Sequence, residues 1–283
     1  MPSHDEPVEI AVDDASISGT FVVPGTRVPG VLFVHGWGGT QQQYLTRARE
    51  IAALGCICLT FDLRGHASTL AQSETVTREN NLRDVLAAYD RLAARRHVDP
   101  ERIALVGSSY GGYLGAIAST LRPVRWLALR APALYQDSGW EIPKRQLHRD
   151  QDLPTYRRQL VRAADNRALA ACEAFRGDVL LVESEHDAIV PAMVLASYRE
   201  ACTHARSVTY RCLEGADHGL SSDESQAGYL RLLRQWLAEM VETDRQRSDE
   251  RAARPAAEAS PTRPSVAPET PPKAIAPEAL PSP

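Results

Sequence analysis

The chain has 283 residues, 43% hydrophobic and 24% charged, close to globular averages, which excludes wholesale disorder. Its 32 basic and 36 acidic residues leave a formal charge of −4, so no electrostatic feature points to a nucleic-acid partner. No apolar run approaches the roughly 20 residues that span a bilayer, and the start MPSHDEPVEI lacks a basic flank before an apolar stretch. Neither a membrane anchor nor a secretory signal is expected. Five cysteines without a C-x-x-C pair read as reduced thiols, mostly small buried hydrophobes, in a cytoplasmic protein.

Short β runs alternate with helical patterns. Residues 8–12 and 17–23 form an expected antiparallel pair, and the apolar run 31–34 is a strand buried on both faces. Helical spacing over 44–54 stops at Gly55, the strand 56–61 follows, and a stripe of Leu82, Val85, Leu86, Tyr89, Leu92 and Ala93 predicts the next helix. Strand 103–106, a helix from Tyr110, and strands 126–129 and 179–182 come next. Helix 192–202, strand 208–212 and helix 226–241 complete the series. Such alternation predicts an α/β fold with a mostly parallel sheet of about eight strands and helices on both faces. Its ligand sites lie beyond the carboxyl ends of the strands.

The stretch 135–177 is too short for a large lid and predicts a small helical cap, with Leu153, Tyr156, Leu160 and Val161 as a plausible apolar stripe. Residues 1–245 form the expected domain. From 246 to 283 a Pro/Ala-rich tail, with nine prolines in 255–283, predicts a disordered extension.

The candidate chemistry falls at strand ends. Gly107-Ser108-Ser109-Tyr110-Gly111 fits G-x-S-x-G between strand and helix, which exposes the hydroxyl of Ser109 on a tight turn. A serine needs a base, and His218 in Gly215-Ala216-Asp217-His218-Gly219 is the candidate. The imidazole needs a carboxylate; Asp187 is favoured, with Glu183 and Glu185 as rivals. His35-Gly36-Trp37-Gly38-Gly39 can aim amides at a developing oxyanion, so the backbone N–H groups of Trp37 and Tyr110 form the expected pair, with His35 bracing the loop. Arg130 ends an apolar strand at the ligand rim, where it either clamps a substrate carboxylate or pairs with an acidic residue of the cap; Trp140 is a second candidate contact. The pairs Lys144-Arg145 and Arg157-Arg158 read as solvated. Motifs for metal, nucleotide or dinucleotide binding are absent, so no cofactor is expected.

On these residues the chain resembles the α/β-hydrolase superfamily: HGWGG (35–39), DLRGHA (62–67), VDPERIALVGSSYGG (98–112), EHDAIVP (185–191) and GADHG (215–219) stand in the family's order over roughly residues 8–242. The style is similar to the dienelactone-hydrolase, feruloyl-esterase and prolyl-oligopeptidase-like branch. The resemblance implies Ser109 as nucleophile, Asp187 as acid, His218 as base and the Trp37 and Tyr110 amides as oxyanion hole. Ala67 and Ser184 stand where the family usually has glycine. The expected function is a serine hydrolase acting on a small-molecule carboxylic ester. A thioesterase, an aminopeptidase, or a non-catalytic binder on the same fold are the alternatives.

Overall fold

Every run read as a strand is a strand in the computed structural model, which describes residues 3–24 and 28–253. In chain order the strands are β1 (Ser3–Val12), β2 (Ala15–Pro24), β3 (Val28–Val34), β4 (Ile57–Phe61), β5 (Val98–Ser108), β6 (Trp126–Arg130), β7 (Asp178–His186) and β8 (Ser207–Asp217). They form one sheet in the order β1-β2-β4-β3-β5-β6-β7-β8. β1 with β2 and β2 with β4 are antiparallel; all other pairs are parallel. This is the α/β-hydrolase architecture, and the described residues up to Thr243 form one compact unit.

The α-helices are α1 (Gln42–Ala52), α2 (Arg78–Ala93), α3 (Tyr110–Ala118), α4 (Lys144–Asp150), α5 (Leu153–Arg157), α6 (Arg167–Ala174), α7 (Ala192–Ala201) and α8 (Asp223–Ala253). Their apolar stripes explain why the central strands are continuous hydrophobic runs: both faces are covered. On one face Leu32, Leu105 and Leu127 pack with Leu82 and Val85 of α2 and Leu114 and Ile117 of α3. On the other, Val31, Phe33, Ala104 and Val106 meet Leu45 and Ile51 of α1 and Leu233 and Trp236 of α8. α2 starts four residues before its apolar stripe because Thr77 and Asn80 form a capping box, each side chain accepting from the other's backbone N–H.

Several expectations change in three dimensions. The segment 135–177 does hold small helices (α4, α5, a 3₁₀ turn at Ala163–Asp165, and α6). Leu153 and Val161 are buried, but Leu160 is 47% exposed, because α5 ends at Arg157 and the stripe cannot continue on one helix. Lys144 and Arg157 are buried rather than solvated. Lys144 Nζ lies 4.9, 5.0 and 4.5 Å from the ring centres of Trp37, Tyr110 and Tyr135, while Arg157 donates to the carbonyls of Leu134 and Ile189. Helix α8 continues to Ala253, so residues 246–253 are helical where the tail was expected to begin. Ala, Glu, Arg and Gln sustain a helix until Pro255 approaches. The rest of the tail, 254–283, lies outside the described residues. Among those residues no helix is long and apolar enough to cross a membrane.

Candidate active site

Ser109 occupies the turn between β5 and α3 with φ 51° and ψ −118°, a region that non-glycine residues rarely adopt and that strand-to-helix turns at functional sites use. The flanking glycines make the turn possible. A Cβ on Gly107 would stand 2.5 Å from the carbonyl oxygen of Gly111, and one on Gly111 would stand 2.2 Å from that of Val34. The Ser109 backbone is pinned as well, its N–H donating to the Arg130 carbonyl at 2.9 Å and its carbonyl accepting from Ala133 N at 2.9 Å.

The three residues far apart in sequence converge. Ser109 Oγ lies 2.9 Å from His218 Nε2, and His218 Nδ1 lies 2.7 Å from Asp187 Oδ2. The other Asp187 oxygen accepts from the backbone N–H groups of Ile189 (2.9 Å) and Val190 (2.7 Å). Burial alone would raise this carboxyl, but the hydrogen bonds from His218 and from those amides outweigh it and hold it below its usual value. With Asp187 ionised, His218 Nδ1 carries the proton and Nε2 is left to accept one from the serine. The rival carboxylates are engaged elsewhere. Glu183 accepts from the Tyr210 hydroxyl, and Glu185 accepts from Gly215 N at 2.7 Å.

The glycine-rich loop lies against the serine, where a Cβ on Gly36 would come 3.3 Å from Ser109 Cβ. Among the described residues none accepts from the backbone N–H of Trp37 or of Tyr110, the first residue of α3. Two histidines hold the loop's shape. His35 Nδ1 donates to the Gly36 carbonyl at 2.8 Å and Nε2 accepts from Leu63 N at 3.0 Å. His66 Nε2 accepts from Gly38 N at 3.0 Å, a bracing contact that the sequence reading missed although DLRGHA was singled out. The same segment is anchored by Arg64, whose Nε donates to buried Asp84 at 2.5 Å, and Ala67 takes a left-handed φ of 45° where a glycine would fit without strain.

Burial pushes the His35 imidazole down to about 3 and lowers that of His66. Both are therefore neutral in the folded protein, while in the unfolded chain they protonate near pH 6.5. Protonation thus favours unfolding: the contribution of His35 is whole above pH 6.5 and is lost as pH falls toward 3. Stability should drop by about 1.4 kcal/mol per pH unit from His35 alone across that window. Urea denaturation at pH 7, 6 and 5 checks this, and His35→Gln should flatten the slope by about that amount; an unchanged slope contradicts the assignment.

Ser109 and His218 open into a cavity of about 330 Å³ that Trp37, Gln43, Arg47, Arg130 and Gln226 also line. Arg130 is buried, and its guanidinium donates to Ser108 Oγ (3.3 Å), Ser184 Oγ (3.2 Å) and the His218 carbonyl (2.9 Å). It thus pairs with no acidic residue of the cap, contrary to one of the expected alternatives, and Ser184 supplies a hydroxyl that the family's usual glycine could not. Trp140 does not line this cavity; it stacks on Tyr113 at 6.1 Å beneath Arg78 and Arg167, so it departs from its expected place as a contact. Among the described residues no cluster of His, Cys, Asp or Glu is arranged to hold a metal ion.

A family model described as the prolyl oligopeptidase family matches residues 41–244. Quorum-quenching protein AidA of Acinetobacter baumannii is 31% identical over 116 residues, 40% of this chain and 38% of that protein. The human mitochondrial palmitoyl-protein thioesterase ABHD10 is 34% identical over 118 residues, 40% of this chain and 35% of that protein. These alignments span well under half of each relative's length. The crystal structure of a dienelactone hydrolase from Anabaena variabilis superposes with a TM-score of 0.62 at 16% identity, covering 85% of this chain and all of that one.

Proposed function

The chain belongs to the prolyl oligopeptidase family, within the α/β-hydrolase superfamily, and from that premise we propose that it is a serine hydrolase cleaving a small to medium-sized carboxylic ester through an acyl-enzyme. One observation carries the reading: an unbroken hydrogen-bonded series from Asp187 through His218 to Ser109 Oγ, at 2.7 and 2.9 Å.

Ser109 Oγ passes its proton to His218 Nε2 and attacks the carbonyl carbon. The carbonyl oxygen becomes an anion that accepts from the N–H groups of Trp37 and Tyr110, and Asp187 offsets the charge of the imidazolium. His218 then gives its proton to the departing alkoxide as the carbon–oxygen bond breaks, leaving the acyl group on Ser109. Water, deprotonated by His218, attacks that ester; the bond to Oγ breaks and the serine recovers its proton. The sum is ester plus water giving acid plus alcohol.

A thioester is the second reading, favoured by the match to ABHD10, whose name records palmitoyl-protein thioesterase activity. A cavity of about 330 Å³ lined by Gln43, Arg47, Arg130 and Gln226 suits a compact polar group better than a long acyl chain. A cytoplasmic setting belongs to the same proposal, in keeping with five cysteines that include no C-x-x-C pair. The test is turnover of para-nitrophenyl acetate, short acyl-CoA thioesters and aminoacyl anilides by the purified chain. Fastest turnover on the oxygen esters is expected. Preference for the anilide or thioester selects those readings, and no turnover of any, with no labelling of Ser109 by a fluorophosphonate, selects a binding protein.

A further inference from the structure

Two guanidinium groups, those of Arg47 and Arg130, line the cavity that holds Ser109. Arg130 is only 6% exposed, yet its donors all go to neutral oxygens, two serine hydroxyls and the His218 carbonyl. Arg47, on α1, gives Nη1 to the Gln43 carbonyl at 3.0 Å, and its buried Nε has no hydrogen-bond partner. Both stack on one ring: their Cζ atoms lie 5.4 Å (Arg47) and 5.8 Å (Arg130) from the centre of Tyr229. Among the described residues neither has a carboxylate partner. A buried charge such as that of Arg130 is normally paired, because removing it from water is costly, and Arg47 is half-buried beside it. Here two like charges share one recess in a chain whose net charge is −4.

We infer that the substrate itself supplies the missing anion: an ester bearing a carboxylate or phosphate group that seats between Arg47 and Arg130 while its carbonyl lies against Ser109. This rests on the ester-hydrolase reading above and narrows it to a substrate class. The planar donor fork of arginine suits either anion. The two sources differ in geometry and charge, so matched compounds separate them. Arg130 carries a second duty, since its bond to the His218 carbonyl helps to position the imidazole. Among the described residues Arg47 has no hydrogen bond to Ser109, Asp187 or His218, and the decisive variant is therefore made there.

The experiment compares kcat/KM for para-nitrophenyl hydrogen adipate with that for para-nitrophenyl heptanoate, and for para-acetoxyphenyl phosphate and para-acetoxybenzoate with para-acetoxybenzamide. The wild-type chain should prefer the anionic member of at least one set by about ten- to a hundredfold, the worth of a charged hydrogen bond. The set that responds identifies the anion and the side of the ester that carries it. In Arg47→Gln that ratio should fall about tenfold or more, mainly through KM; Arg47→Lys should keep part of it, and Arg47→Glu should invert it. Calorimetric titration with adipate and with inorganic phosphate is the parallel arm. Binding of either, lost in Arg47→Gln, supports the anion site even if no ester is turned over, in which case only the esterase reading fails. Equal or faster turnover of the neutral esters, with neither anion bound, overturns the inference and leaves that reading intact.

Discussion

Ser109→Ala should lose about a million-fold in kcat on any substrate the wild-type chain turns over, the loss seen when a triad serine is removed elsewhere. The size follows from what disappears. Without Oγ no acyl-enzyme can form, and only the amides of Trp37 and Tyr110 and the binding cavity remain to assist direct attack by water. The fold should be spared. Alanine keeps the Cβ that already tolerates φ 51°, and the hydroxyl's described hydrogen bond is the one to His218. Steady-state assays with para-nitrophenyl acetate, beside urea denaturation, separate the two effects. Activity within tenfold of wild type in a folded variant contradicts the mechanism.

Asp187→Asn should cost about ten-thousand-fold in kcat, with KM little altered. The neighbouring backbone decides how the asparagine sits. One oxygen of residue 187 accepts from Ile189 N and Val190 N at 2.9 and 2.7 Å, contacts that only the amide oxygen can keep. The NH₂ group must then face His218 Nδ1, which has to accept, and the proton moves to Nε2. An imidazole protonated there cannot take the proton of Ser109. Pre-steady-state acylation measures the loss directly; acylation slowed less than tenfold would mean that Asp187 does not set the tautomer.

The strands and the candidate site were legible in the sequence for a common reason. A strand covered on both faces must be apolar throughout, as in the run 31–34, and a tight strand-to-helix turn must be lined by glycines, as at Gly107 and Gly111, whatever surrounds them. What stayed hidden depends on partners brought from elsewhere in the chain. Lys144 and Arg157 look like surface charges until the rings of Trp37, Tyr110 and Tyr135 and the carbonyls of Leu134 and Ile189 are folded around them. His66 stayed hidden for the same reason, because the amide it accepts from, that of Gly38, belongs to a different loop. Nothing in helical spacing marks Arg47 as a cavity residue, because its neighbours across the recess, Arg130 and Tyr229, lie far along the chain. The run from Leu153 to Val161 misled because helical spacing was extended past the end of α5 at Arg157.

In the proposed mechanism one hydroxyl, activated by one imidazole, is the nucleophile. Treating the purified chain with a fluorophosphonate and mapping the adduct by peptide mass spectrometry tests it most directly. A single adduct on Ser109, formed quickly in the wild-type chain, strongly slowed in His218→Gln and absent in Ser109→Ala, is the predicted result. Rapid labelling at another residue, or a folded and monodisperse wild-type chain that takes up no phosphonate, would contradict it.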